Sequence, residues 1–194
     1  MIIDISSCNG KIDFTTLAGE NIERVILRGT TQNGNLDVRL IENINGICSN
    51  MPNAIIDVYK FSYARNYENA AIEAYNLLGR LNYHGLLGLV NTIWLDLEGF
   101  GGRSHTKDEC AKVIAAYAGV MNQFNRKWGV YCNYNYLKNI LPLWLANTPI
   151  WLARWGSVQI GDVEPFTVTM WQYTSKGKVN GITTDVDLSR YVKV

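Results

Sequence analysis

The chain has 194 residues, enough for one domain that buries a full core. Hydrophobic residues make up 47% and charged residues 18%, and 18 Lys and Arg against 17 Asp and Glu leave a net charge of +1. A balance so close to zero gives no broad electrostatic pull toward nucleic acid or an anionic membrane, so neither is expected as a partner.

Ile2 to Ser6 reads as a first strand, with a polar turn at Ser7-Cys8-Asn9-Gly10. Ile12 to Leu17 gives a short helical turn. Arg24 to Arg28 is a buried strand, and Gly29 to Gly34 is a loop rich in turn residues. Asp37 to Cys48 carries Val38, Ile41, Ile44 and Ile47 at helical spacing. Ala54 to Phe61 is a third strand. Tyr67 to Leu81 is an amphipathic helix with Ala71, Ala74, Tyr75, Leu78 and Leu81 on one side. A fourth strand runs from Ile93 to Glu98. Thr106-Lys107-Asp108-Glu109 forms a capping box that opens a helix from Glu109 to Phe124, and Gly129 to Cys132 is a fifth strand.

To this point strands and helices alternate, which argues for parallel βα units. Beyond Asn133 the pattern changes. Strands are expected at Pro149 to Trp155, Val168 to Tyr173 and Asp185 to Leu188, and only the first has a helix before it, at Tyr134 to Leu141. The stretch from Thr174 to Thr184 is broken by Gly177 and by Asn180-Gly181, so a hairpin-like excursion is expected instead of a helical crossover. The whole chain, 1–194, is therefore read as one α/β domain: an eight-stranded barrel, regular in its first half and stripped of helices in its second.

The chemistry concentrates on the fourth strand. Alternation puts Trp94, Asp96 and Glu98 on one face and the aliphatic Ile93, Leu95 and Leu97 on the other. The two carboxylates sit at i and i+2, with Cα atoms roughly 6.5–7 Å apart. Burial disfavours the charged form of a carboxylate, so acids at the end of a buried strand are hard to keep without a task. Gly99-Phe100-Gly101-Gly102 lets the chain turn sharply and leaves the strand end open to a ligand. The pattern points to the acid centre of a glycosidase, although a lone Asp-x-Glu is more commonly a solvated edge or an ion-pair partner.

Other features narrow the reading. Six Trp and eleven Tyr suit sugar stacking and equally suit a core. Cys8, Cys48, Cys110 and Cys132 form no C-x-x-C and no zinc spacing, and read as buried free thiols. His84 and His105, the only histidines, have no paired-ligand spacing, so a zinc hydrolase is poorly supported and no cofactor is implied. No basic leader or long apolar run precedes Asp4, so no signal peptide is read and synthesis in the cytoplasm is expected. The longest apolar patch, Ile140 to Ala146, contains Pro142 and is too short to span a bilayer.

Five segments in order then carry a resemblance: Asp4-Ile5-Ser6-Ser7; Trp94-Leu95-Asp96-Leu97-Glu98; Gly129-Val130-Tyr131; Ile150-Trp151-Leu152-Ala153-Arg154-Trp155; and Trp171 to Ile182, running on to Val186-Asp187-Leu188. Together they resemble glycoside hydrolase family 25, the Chalaropsis-type lysozymes or muramidases. The resemblance implies an irregular (β/α)5β3, TIM-like barrel and cleavage of the β-1,4 bond between N-acetylmuramic acid and N-acetylglucosamine in peptidoglycan. It makes Glu98 the proton donor, Asp96 its companion carboxylate, and Asp4 and Asp187 two further acids of the site. Cys8 departs from a frequent aromatic, and Lys60 from a frequent histidine. The missing signal peptide resembles phage or prophage endolysins, which reach the wall through a holin. Many of these carry a separate wall-binding domain; none is seen here, so a C-terminal partner domain outside the chain is expected.

In barrels of this type the site lies at the C-terminal ends of the strands. Trp155, Tyr131, Tyr59 and Tyr173 are candidates to line the groove and stack on sugars, Trp155 foremost because it lies past a strand end before Gly156. Asn133 and Gln172 are candidates to bond sugar hydroxyls or amides. Two other classes stay open: a wall-binding barrel without activity, and a metal-dependent hydrolase using the four acids as oxygen ligands for a hard cation. The stereochemical course is also open. Asp4 and Asp187 lie across the barrel from the fourth strand, which suits an inverting pair, whereas the 2-acetamido group of the sugar gives retention by substrate assistance. The resemblance favours the second, with Asp96 or Asp187 assisting and Asp96 raising the pKa of Glu98.

Overall fold

In the computed structural model, which describes residues 1–157 and 159–192, eight strands close into one barrel in chain order. They are β1 (Ile2–Ile5), β2 (Arg24–Arg28), β3 (Ile55–Phe61), β4 (Thr92–Asp96), β5 (Lys127–Asn133), β6 (Ile150–Ala153), β7 (Val168–Gly177) and β8 (Val186–Tyr191). Neighbours from β1 to β7 are parallel. β8 is antiparallel to both β7 and β1 and closes the barrel. Helices α1 (Phe14–Leu17), α2 (Leu40–Asn50), α3 (Tyr67–Tyr83), α4 (Lys107–Gln123) and α5 (Tyr134–Asn139) all precede β6. The expected loss of helices in the second half is thus observed, and β7 turns back into β8 through Asn180-Gly181 without a crossover.

Alternation along each strand sorts the core into two layers. Outward residues such as Ile3, Val25, Val58, Ile93 and Leu95 pack under Ile44, Ile47, Leu77, Leu78, Val113 and Ile114 of the helices. Inward residues Ile2, Ile26, Trp94, Tyr131, Trp151, Ala153 and Met170 fill the barrel itself. The ring of Trp151 lies 6.0 Å from Trp94 and 4.5 Å from Tyr131. Gly129 makes room for this packing, since a Cβ there would stand 2.4 Å from Trp94 Cζ3. Beneath the aromatics, buried Asp57 accepts from Trp94 Nε1 (2.8 Å) and the Thr92 amide (3.1 Å) and pairs with Arg24. The interior is therefore packed up to the level of Asp4 and Asp96, and the chemistry is confined to the mouth above it.

Several boundaries and faces differ from expectation. β4 leaves the sheet at Asp96, so Glu98 lies two residues beyond the strand and not on it. The buried stripe of α2 is Leu40, Asn43, Ile44 and Ile47; the helix starts at Leu40, which leaves Val38 outside it and 83% exposed, and turns Ile41 to the surface. On α3 the expected Ala74, Leu78 and Leu81 are buried, joined by Ala70 and Leu77 in place of Ala71 and Tyr75. Tyr75 is exposed and donates to Gln123 (2.8 Å) at the seam with α4. The capping box of α4 is formed as expected, with Glu109 N donating to Thr106 Oγ1 (3.1 Å) and Thr106 N to the Glu109 carboxylate (2.9 Å). All four thiols are free, but only Cys110 and Cys132 are buried. Cys8 lies exposed in a 3-10 turn after β1, and Cys48 on the solvent side of α2. Among the described residues, no helix is long and apolar enough to cross a membrane.

Candidate functional site

The barrel closure brings four acids to one mouth. Asp4 of β1 and Asp187 of β8 are directly paired in the antiparallel register. Asp96 ends β4, and Glu98 follows after Leu97, whose amide donates to Tyr131 O (2.9 Å) as the chain departs from the sheet. Leu97 is buried in the outer layer, so the residue after it turns back over the opening. Glu98 lines a cleft of about 450 Å³ together with Asn133, Tyr134, Asn135, Ala153 and Trp155. Asp96 sits deeper, 7% exposed, and its buried Oδ1 has no hydrogen-bond partner.

Gln172 ties the site together. Its Oε1 accepts from Tyr131 Oη (2.9 Å) and Trp155 Nε1 (2.8 Å), and its Nε2 donates to Asp4 Oδ2 (2.9 Å). These bonds fix the amide in one orientation. They also correct its expected role: Gln172 is buried with its amide engaged by protein groups, and positions Asp4, Tyr131 and Trp155 without facing a sugar.

All four acids hold their protons above the ordinary carboxylate range. Burial is the main cause at Asp4, reinforced by the negative charge of Asp187 and opposed by the Gln172 donation. Asp187 is raised by burial and eased by its hydrogen bond with Asp4, so the two carboxyls share a proton. Asp96 is pushed well up by burial and then by the charge of Glu98, with the Lys60 ammonium opposing. Glu98 is raised by burial and by Asp187, while the Tyr131 hydroxyl favours its charged form. Asp96 and Glu98 are thus electrostatically coupled, the charge of one opposing ionisation of the other, and Asp187 adds to the rise at Glu98. Burial and the same acids drive the phenols of Tyr59 and Tyr131 well above their ordinary value, so both remain hydrogen-bond donors.

The expected contact residues divide. Trp155 stands 54% exposed at the cleft edge, and Tyr131 is buried beneath it. Tyr59 is half-buried against the inner aromatics. Asn133 lines the cleft, with its Oδ1 taken by the Tyr136 amide (3.0 Å) as the cap of α5 and its Nδ2 left for a ligand. Tyr173 is not brought to the site. It alternates with inward Gln172 and lies on the outer face, 6.3 Å from Trp171, beneath the Arg190 guanidinium.

Two groups escaped the sequence reading. Lys60, an apparent departure, is 1% exposed between β3 and α3. Its Nζ donates to Phe61 O (2.5 Å) and lies 3.8 Å from Glu73, and burial lowers its pKa while Glu73 and Asp96 support its charge. Phe61, Tyr63 and Phe100 gather on the β3 side of the mouth. The only advance signal for them was the placing of Phe100 among glycines. Among the described residues, no group of three or more His, Cys, Asp or Glu is disposed to hold a metal ion, so the four acids do not form a ligand set.

Comparison with known proteins places this geometry. The chain superposes on the modular autolysin LytC of Streptococcus pneumoniae, solved with a synthetic peptidoglycan ligand, with a TM-score of 0.84 and 26% identity over 98% of this chain and 46% of that one. It therefore spans under half the length of that relative. The catalytic domain of the endolysin ply40 from a Listeria monocytogenes bacteriophage (TM-score 0.74, 23% identity, 97% and 90% covered) shares the fold. So does the lysozyme of Streptomyces coelicolor (TM-score 0.79, 21% identity, 97% and 90% covered). No curated protein matches. The family model described as "Glycosyl hydrolases family 25" matches residues 3–182, and with the barrel and its mouth of acids this establishes that the chain belongs to that family.

Proposed function

We propose that the protein is a peptidoglycan hydrolase, an N-acetylmuramidase that cleaves the β-1,4 bond between N-acetylmuramic acid and N-acetylglucosamine, with Glu98 as the general acid. The observation that carries the assignment is that Glu98 is the one acid of the four that lines the open cleft, in a setting that raises its pKa. Departure of the leaving oxygen needs a proton, and a carboxyl kept protonated near neutrality supplies it. The retained carboxylates meet the positive charge that grows at the sugar ring in an oxocarbenium-like transition state. Asp187 is the better assistant for the 2-acetamido group, because Asp96 is buried at the end of β4 while Asp187 is only partly buried. The course is retention through a cyclic intermediate, with no covalent sugar–enzyme ester.

The likeness to an autolysin bearing a peptidoglycan ligand and to a phage endolysin domain supports action on the bacterial wall. Export through a holin and a separate wall-binding domain belong to the same reading. Turbidity clearing of several Gram-positive walls, with the new reducing-end sugar identified, tests the bond. A reducing end other than muramic acid overturns it. Glu98→Gln is expected to fold and to lose about 10²–10⁴-fold in rate; near wild-type lysis removes Glu98 as the acid. Formation of α anomer first from a soluble β-linked glycan indicates inversion and ends the retaining course.

A further inference from the structure

The mouth has a second side. Phe61 is registered beside Asp96, and Ser62 N donates to Asp96 O (2.9 Å), so the β3 loop borders the acids directly. There the rings of Phe61 and Tyr63 lie 4.8 Å apart, and Phe100 stands edge-on to both, at 6.4 and 5.0 Å. Phe100 follows Glu98 by two residues and is 50% exposed.

The loop is built to hold that exposed ring still. Phe100 and Arg103 exchange two backbone hydrogen bonds, 3.1 and 3.2 Å, across Gly101 and Gly102. Both glycines have positive φ, 62° and 77°, as a tight two-residue hairpin turn requires. Arg65 donates to Arg103 O (3.0 Å) and Ser104 O (3.2 Å), and Arg103 pairs with Glu109 at 2.6 Å. Arg65 and Arg103 share Glu109, with the Arg103 side chain 62% exposed at the rim, and the buried Lys60 ammonium lies 4.9 Å from the Tyr63 ring centroid. Between them stands an aromatic surface beside Asp96 and two residues beyond Glu98, the acid whose cleft holds Trp155.

The C–H face of a pyranose ring stacks well on such a surface. We infer that Phe61, Tyr63 and Phe100 form a second sugar-stacking subsite, on the β3–β4 side of Glu98, which takes an N-acetylhexosamine ring of the glycan strand. This rests on the muramidase reading and deepens it: Trp155 and Phe100 grip the strand on opposite sides of the acid. The alternating sugars share the stacking face, so the subsite selects strand length rather than peptide composition.

The test uses β-1,4-linked N-acetylglucosamine oligomers as probes, with the dissociation constant measured by calorimetry for dimer through hexamer. Wild type is expected to gain affinity as the oligomer grows long enough to cover both aromatic sides. Phe100→Ala is expected to lose roughly five- to ten-fold for the hexamer, with dimer binding and melting temperature unchanged because Phe100 is largely solvent-facing. Phe100→Trp is expected to restore the hexamer. Equal hexamer affinity in wild type and Phe100→Ala, with wall lysis intact, overturns the subsite alone. Full retention in Phe100→Leu overturns stacking as its basis. A wild type that neither lyses walls nor binds any oligomer overturns the muramidase reading, and the subsite with it.

Discussion

Asp4 and Gln172 are joined by a 2.9 Å hydrogen bond although they lie 168 positions apart in sequence. The same amide carries Tyr131 and Trp155 on its oxygen, so one buried side chain connects an acid, a phenol and the exposed indole of the cleft. Gln172→Leu keeps the volume and removes all three bonds. Buried groups left without partners cost about 1–3 kcal/mol each, reduced where the exposed Trp155 finds water. Urea unfolding is expected to show a loss of about 1–3 kcal/mol, and lysis at a temperature where the variant stays folded should still fall. Unchanged lysis would mean that Gln172 is a packing residue only.

The electrostatics at Glu98 make a directional prediction. The charge of Asp187 raises Glu98, so Asp187→Asn should make Glu98 easier to ionise and move the alkaline limb of the pH–rate profile down. Asp96→Asn removes the other carboxyl coupled to Glu98 and should move the limb down as well. A limb that stays in place or moves up in either variant would show that the acid replaced is not coupled to Glu98.

Asp4 links the site to stability. Its folded pKa lies above the unfolded value of about 3.9, so the folded state binds this proton more tightly. The resulting stabilisation is fully present below about pH 4 and is lost as pH rises through the folded pKa. An Asn at this position can present an oxygen to Gln172 and an amide to Asp187, as the protonated acid does. Asp4→Asn is therefore expected to melt with wild type in acid and above it toward neutrality. Melting curves that keep a constant offset from acid to neutral pH would refute the shift.

Gly129 faces Trp94 across the β4–β5 pair, and a Cβ there would meet the indole at 2.4 Å and Pro149 O at 2.7 Å. Neither neighbour is the loose end of a flexible chain. Gly129→Ala should destabilise by about 1–3 kcal/mol, as overpacked cores do. Urea unfolding of the variant beside wild type, followed by circular dichroism, checks the size of the loss.

The barrel was legible in the sequence because its signal is periodic. Val25 to Leu27 and Ile93 to Leu97 alternate against helices with their own stripes, and Asn180-Gly181 announces the turn into β8. The acids were legible through motif and order. Three things were not. On α2 Ile44 and Ile47 were read correctly as core, but Val38 and Ile41 stood in for Leu40 and Asn43 because the helix begins only at Leu40. Tyr173 was placed in the groove although alternation from Gln172 sends it outward, where Arg190 covers it. The partners of Gln172 and the trio around Phe100 come from strands and loops far apart in the chain, and no local spacing records such meetings.

The antiparallel docking of β8 against β1 has a temporal meaning. Asp4 belongs to the first strand of the barrel and Asp187 to its last, and their pairing exists only once β8 has closed the ring. A nascent or truncated chain lacking β8 would have two open sheet edges and half of its carboxylate pair. The two acids therefore come to face each other only through ring closure, and any cut that frees β8 would part them again.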